Sequence, residues 1–204
     1  MDKLDLLKQM KDLYSAQINE VNFIKVPTLN YLMIDGEGDP NTSQVYKDSL
    51  QALYSMAYAL KFAVKKSKEP IDFKVMPLEG LWWVDDMNLF SVENKEDWKW
   101  TMMILQPDLI TFDLVSEMRE QVIKKKGLLL AQQVRLEQNN EGECAQILHL
   151  GPYSSEGKNI EILHTKIREQ GHQRKGKHHE IYLNTPLKTS PEKLKTIIRQ
   201  PIGK

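Results

Sequence analysis

Twice along this chain a strand-like alternation runs into a glycine turn, a helical stripe, further strand and a proline. A second helical pattern follows each time, once over about Tyr31 to Lys126 and again over about Cys144 to Gln200. A period of two buries one face of a sheet, and a period of about 3.6 buries one stripe of a helix. Repeated switching between the two restricts the chain to an α+β fold, with helices laid on one face of an antiparallel sheet. Gln106-Pro107 and Thr185-Pro186 hold matching places in the two runs. The expected architecture is therefore a rough internal duplication. Two such halves side by side leave a groove, and ligands favour that kind of seam. Residues 1–20 are expected to be a helical extension, with Leu6, Met10 and Leu13 at helical spacing. The domain proper is expected over 21–204, in halves of about 21–127 and 131–204.

The pattern also places the individual elements. Asn41, answered by Gln44 in capping-box fashion, predicts a helix running to about Ser67. Its core stripe is Tyr46, Leu50, Leu53, Ala57, Leu60 and Val64, and a second stripe of Tyr54, Tyr58 and Phe62 lies about a quarter-turn away. Ile71 to Trp83 alternates as a strand; Val84 to Glu96 reads as a polar loop, and Trp98 to Pro107 as the next strand. A helix starting at Asp108 or Thr111 should end at Lys124-Lys125-Lys126-Gly127, a basic last turn with a glycine cap. Val134 to Glu137 is a weak strand, Cys144 to Leu150 a clear one, and Glu156 to Gln170 a helix. Ser190-Pro191-Glu192 has the form of a helix start, with Leu194, Ile197 and Ile198 as its anchors.

Several classes of function are excluded early. Lys+Arg and Asp+Glu both number 28 in 204 residues, so the formal net charge is +0 and nothing global favours nucleic acid. No apolar run is long enough to span a bilayer, and the charged start Met1-Asp2-Lys3 does not read as a signal peptide. A single cysteine, Cys144, rules out an internal disulfide framework. A cytoplasmic protein without cofactor is expected. The glycines of Asp35 to Asn41 do not make a dinucleotide loop, because Asn41 stands where the last glycine would be needed. Adjacent His178 and His179 face opposite sides of a strand, so no metal site is expected.

What remains is carboxylates and aromatics. In Lys177 to Pro186, alternation sets Ile181 and Leu183 on one face and Glu180, Tyr182 and Asn184 on the other. A carboxylate midway along a strand must be solvated, paired or used. An exposed sheet face is the plain alternative. All four tryptophans (Trp82, Trp83, Trp98 and Trp100) fall on two consecutive strands, and such a cluster implies a heavy core or a stacking site. Gly80, between Glu79 and Trp82, suggests a bulge or a close backbone approach. A carboxylate walled by indoles has its pKa raised by desolvation and could exchange protons near neutral pH. The candidate acid–base residues are Glu180, Tyr153 and Glu79. The candidate ligand wall is Trp82, Trp83, Trp98, Trp100 and Tyr182, with Tyr54 and Tyr58 behind them.

Five ordered motifs carry a family resemblance: Leu32 to Pro40, Pro77 to Trp83, His149 to Tyr153, His179 to Leu183 and Pro191 to Leu194. Together they resemble GyrI-like small-molecule-binding proteins over nearly the whole chain. The resemblance implies a duplicated β-α-β-β module of SHS2 type with a ligand groove at its pseudo-twofold seam. It also implies a planar hydrophobic or cationic small molecule as ligand, and a glutamate at the base of an aromatic pocket, at the position of Glu180. The stand-alone branch that the chain is most similar to includes hydrolases that open the cyclopropane ring of DNA-alkylating natural products of the yatakemycin type. The alternatives are drug binding without turnover and a gyrase-type partner protein. The residues show no basic helix-turn-helix segment, which disfavours a DNA-bound regulator.

Overall fold

The computed structural model describes residues 2–87 and 95–204; most of the polar loop expected over Val84 to Glu96 lies outside them. In chain order the elements are β1 (Asp2–Leu4), α1 (Leu6–Gln9), β2 (Asn22–Val26), β3 (Leu29–Glu37), α2 (Gln44–Lys65), β4 (Ile71–Phe73), β5 (Leu78–Trp83), β6 (Lys99–Leu105) and α3 (Phe112–Lys126). Then come β7 (Arg135–Asn139), β8 (Gly142–Leu150), α4 (Gly157–Glu169), β9 (Gln173–Arg174), β10 (His178–Tyr182) and β11 (Lys195–Gly203). This is the expected α+β class. The chain forms two compact units, each drawn from three separate stretches: Met1–Gln9, Leu29–Met76 and Glu93–Asn139 in the first, and Met10–Thr28, Pro77–Val92 and Asn140–Lys204 in the second.

In the first unit β3 pairs antiparallel with β6 on one side and β7 on the other, and β1 pairs parallel with β4. Ser43, rather than Asn41, caps α2: its side chain accepts a hydrogen bond from the Tyr46 amide. Leu53, Ala57, Leu60 and Val64 are buried as the stripe requires. Thr111 caps α3, and Gly127 ends it in the left-handed region at φ 67°. Gly36 lies opposite Trp100, whose indole covers it; a Cβ there would sit 2.2 Å from the ring. Trp100 has no exposed surface and meets Tyr46 edge-on, with ring centroids 5.2 Å apart.

In the second unit five antiparallel strands run β2-β8-β11-β10-β5, and β9 adds to the end of β11. On one face α4 buries Ile160, Leu163 and Ile167 against Ala145, Ile147 and Ile198. The helix expected after Pro191 is a single 3-10 turn, Pro191–Lys193, followed by β11. The helical extension expected before residue 20 is broken as well, into β1, α1 and a 3-10 turn, Lys11–Leu13. The expected strand from Ile71 to Trp83 divides at Pro77 into β4 and β5. Gly80 pairs in unbroken register with Glu180, so β5 carries no bulge there.

Candidate functional site

The second unit concentrates its polar side chains on β10, a central strand flanked by β5 and β11. Alternation turns His178, Glu180 and Tyr182 to one face, and register sets Trp82, Gly80 and Leu78 beside them. Gly80 contributes no side chain opposite Glu180, which leaves that position of the face to the carboxylate. Trp82 and Tyr182 lean toward each other across this gap: the indole Nε1–H donates to the Tyr182 oxygen at 3.1 Å. The Tyr182 hydroxyl in turn donates to Glu180 Oε2 at 2.7 Å, and His178 Nε2 lies 3.0 Å from Oε1. Glu180 is thereby only 6% exposed. Tyr153, from the 3-10 turn that opens toward α4, packs edge-on against Tyr182 with centroids 5.6 Å apart. Across β11, Thr196 is the register partner of Tyr182; it is fully buried, and its Oγ1 has no hydrogen-bond partner among the described residues.

The opposite face of the same strands holds a second polar group, fully enclosed. His179 Nε2 lies 3.0 Å from Glu79 Oε2 and its Nδ1 lies 2.9 Å from Glu141 Oε1. The Tyr14 hydroxyl donates to Glu79, and Arg199 pairs with Glu141 at 3.2 Å while donating to Gln146 and to the Leu13 carbonyl. Gln146 donates to the carbonyls of Asp12 and Ser15. Burial would drive the His179 pKa down, but Glu141 and Glu79 overcome it and raise the value to about 9. Burial would likewise raise Glu141, yet His179 and Arg199 bring it to about 2. Two cations thus face two carboxylates, and their polar atoms tie the segment around Leu13 and Tyr14 to the sheet.

The sequence-derived candidates therefore separate. Glu180, Tyr182, Trp82 and Tyr153 come together. Glu79 and Trp83 belong to the other face; Glu79 has no exposed surface, and Trp83 carries the Lys177 ammonium over its ring at 3.3 Å from the centroid. Trp98, Trp100, Tyr54 and Tyr58 are residues of the first unit. Trp100 and Trp98 are core there, with Lys95 stacked 4.9 Å from the Trp98 ring, while Tyr58 is 47% exposed on α2. Burial, then Tyr58, raises the Tyr54 pKa. His178, Glu141, Arg199, Gln146 and Tyr14 were missed as partners. Of these only His178, two residues from Glu180 on one strand face, was readable from spacing. Cys144 is buried, and burial with Glu141 pushes its thiol up to about 12, an unreactive value. Among the described residues no group of three or more His, Cys, Asp or Glu side chains is placed to hold a metal ion, and no helix is long and apolar enough to cross a membrane.

The second unit is thus an antiparallel α+β unit that holds a nearly buried carboxylate beside an indole and two phenol rings. The family follows from comparison: the GyrI-like small molecule binding domain matches residues 19–202, and the chain belongs to that family. Three solved structures from Listeria innocua share its fold. One, described as an uncharacterized conserved protein, is 36% identical with a TM-score of 0.91, over 98% of this chain and 100% of that one. Two described as hydrolases are each 35% identical, with TM-scores of 0.86 and 0.89, over 98% and 99% of this chain and 100% of theirs. No curated protein matches the chain significantly.

Proposed function

We propose that this protein is a hydrolase that binds planar lipophilic molecules on the Glu180–Tyr182–Trp82 face and adds water to a strained electrophilic ring, the cyclopropane of yatakemycin-type alkylators. The observation that carries the reading is Glu180: a carboxylate 6% exposed, held in place through both oxygens by His178 and Tyr182. The hydrolase names of the 35% identical relatives support it. In the reaction, the water oxygen bonds to the ring methylene and the cyclopropane C–C bond breaks. The electron pair of that bond passes into the conjugated dienone, whose oxygen becomes a phenolate. Glu180 accepts the proton released by the water, and Tyr153 donates one to the developing phenolate. Solvent then returns the proton from Glu180 to Tyr153, so the sum is substrate plus water giving ring-opened alcohol. The unpartnered Thr196 hydroxyl offers a second hold on the water. In this scheme Glu79 supports the sheet from the other side.

The ring is already electrophilic, so positioning plus an acid–base contribution of about 10²–10⁴-fold accounts for useful rates. Incubation with a cyclopropyl-bearing alkylator should yield the hydrate, identified by mass spectrometry. Glu180→Gln should lower the rate by about that factor and leave the affinity for a neutral planar ligand within about threefold. Absence of hydrate from the wild type, or full turnover by the variant, overturns the reading. A second reading, binding of lipophilic cations without turnover, is favoured by one observation: an indole of this unit already accepts an ammonium, Lys177 on Trp83. In that case Glu180→Gln weakens cation binding selectively and no hydrate forms.

A further inference from the structure

The first unit has a cleft that the chemistry above does not use. It lies between α2 and α3, with a volume of about 540 Å³, within the usual size of small-molecule sites. Tyr58 and Phe62, one helical turn apart on α2, are 47% and 48% exposed, and their rings stack with centroids 6.4 Å apart. Leu114, Met118 and Val122 of α3 add to the apolar lining. Two aromatic rings held half open to water are a cost unless something covers them.

The charges at the edge say what that is. Lys66, Lys125 and Lys126 line the cleft against a single acid, Glu117. Lys126 donates to Ser55 and Lys125 to Gln121, and none of the three forms an ion pair among the described residues. The excess of two positive charges (three lysines less one glutamate) sits beside an aromatic floor. A pairing of two copies through this face would set these lysines against their equals, which disfavours self-association.

We propose that the α2–α3 cleft binds small amphiphilic anions, with an aromatic or aliphatic body lying on Tyr58 and Phe62 and an acidic group paired to the lysine rim. The site is in the first unit and its occupancy is independent of the reaction assigned to Glu180. The probe is anilinonaphthalene sulfonate, titrated into the full chain by fluorescence and calorimetry beside uncharged phenylnaphthylamine. One sulfonate should bind per chain. Phe62→Ser should weaken it about tenfold. Lys125→Gln and Lys126→Gln should each weaken it about two- to fivefold, and added salt should act in the same direction. Glu117→Gln should tighten binding, and Glu180→Gln should leave it unchanged. Phe62, Glu117, Lys125 and Lys126 are exposed, Glu180 is buried, and far-ultraviolet circular dichroism checks that each variant keeps its fold. The proposal is overturned if the cleft variants leave sulfonate binding unmoved or if the uncharged analogue binds equally well. It is also overturned if sedimentation shows a dimer that Phe62→Ser dissociates.

Discussion

His179 has no exposed surface and is held between two carboxylates, so its charge state is tied to folding. Its pKa rises from an ordinary value of 6.5 to about 9, so the stability it contributes is complete below about pH 6.5 and is lost as pH climbs through 9. Glu141 moves the other way, from 4.5 to about 2. Its contribution is complete above about pH 4.5 and is lost as pH falls toward 2. The network therefore stabilises most between these limits, in mildly acidic solution. The difference in unfolding free energy between wild type and His179→Ala, followed by urea titration, should plateau over that window and shrink steadily from about pH 6.5 to about pH 9. The difference on the plateau should be roughly 3–5 kcal/mol, because the substitution leaves Glu79 buried without a cation and Glu141 with Arg199 alone. An effect that stays flat through pH 10 would show that His179 is neutral in the folded protein.

At the scale of the elements, Gly36 and Trp100 test whether β3 and β6 depend on close approach. The indole fills the space where a side chain would stand, and Tyr46 holds it from the edge. Gly36→Ala should cost about 1–3 kcal/mol and perturb the tryptophan near-ultraviolet spectrum. Pairing it with Trp100→Leu should recover part of that loss, a coupling that a double-mutant cycle reads directly. An additive double mutant would remove the contact as the cause. The α2 stripe and the Thr111 and Gly127 caps were legible in the sequence because those helices keep one wet face, and β10 was legible from its alternation although both its faces are buried. The strand β11 was not. Leu194, Ile197 and Ile198 fit a helical stripe, and Ser190-Pro191-Glu192 fits a helix start. Yet the segment is paired on both edges, and Thr196 through Gln200 is buried throughout, so no alternation marks it as a strand. Misreading β11 also hid Arg199, and with it the partners of Glu141. For the same reason Glu79 was grouped with Glu180: facing on β5 is set by the register Glu180–Gly80, which no single-strand pattern contains.

The chain as a whole passes between its two compact units five times, so the duplication visible in the sequence does not mark a place to cut. Dividing the chain near residue 130 assigns β8 to β11 and α4 to one fragment. The second unit also needs β2 and β5, its outer strands, and the Leu13–Tyr14 segment that closes the His179 network. A fragment of residues 131–204 keeps Glu141, His179 and Arg199 but loses Glu79, Tyr14 and the Leu13 carbonyl. It also leaves the β10 edge unpaired and the Glu180 face without Trp82. Each lost partner of a buried charge costs several kcal/mol, against a total domain stability of about 5–15 kcal/mol. The fragment should therefore show collapsed amide dispersion by nuclear magnetic resonance and no cooperative thermal transition. Joining residues 10–28 and 77–87 to it through flexible linkers restores the missing strands and should restore dispersion. A well-dispersed spectrum from 131–204 alone would show that α4 and its four-stranded remnant suffice, and that the interleaving of the chain is incidental to the site.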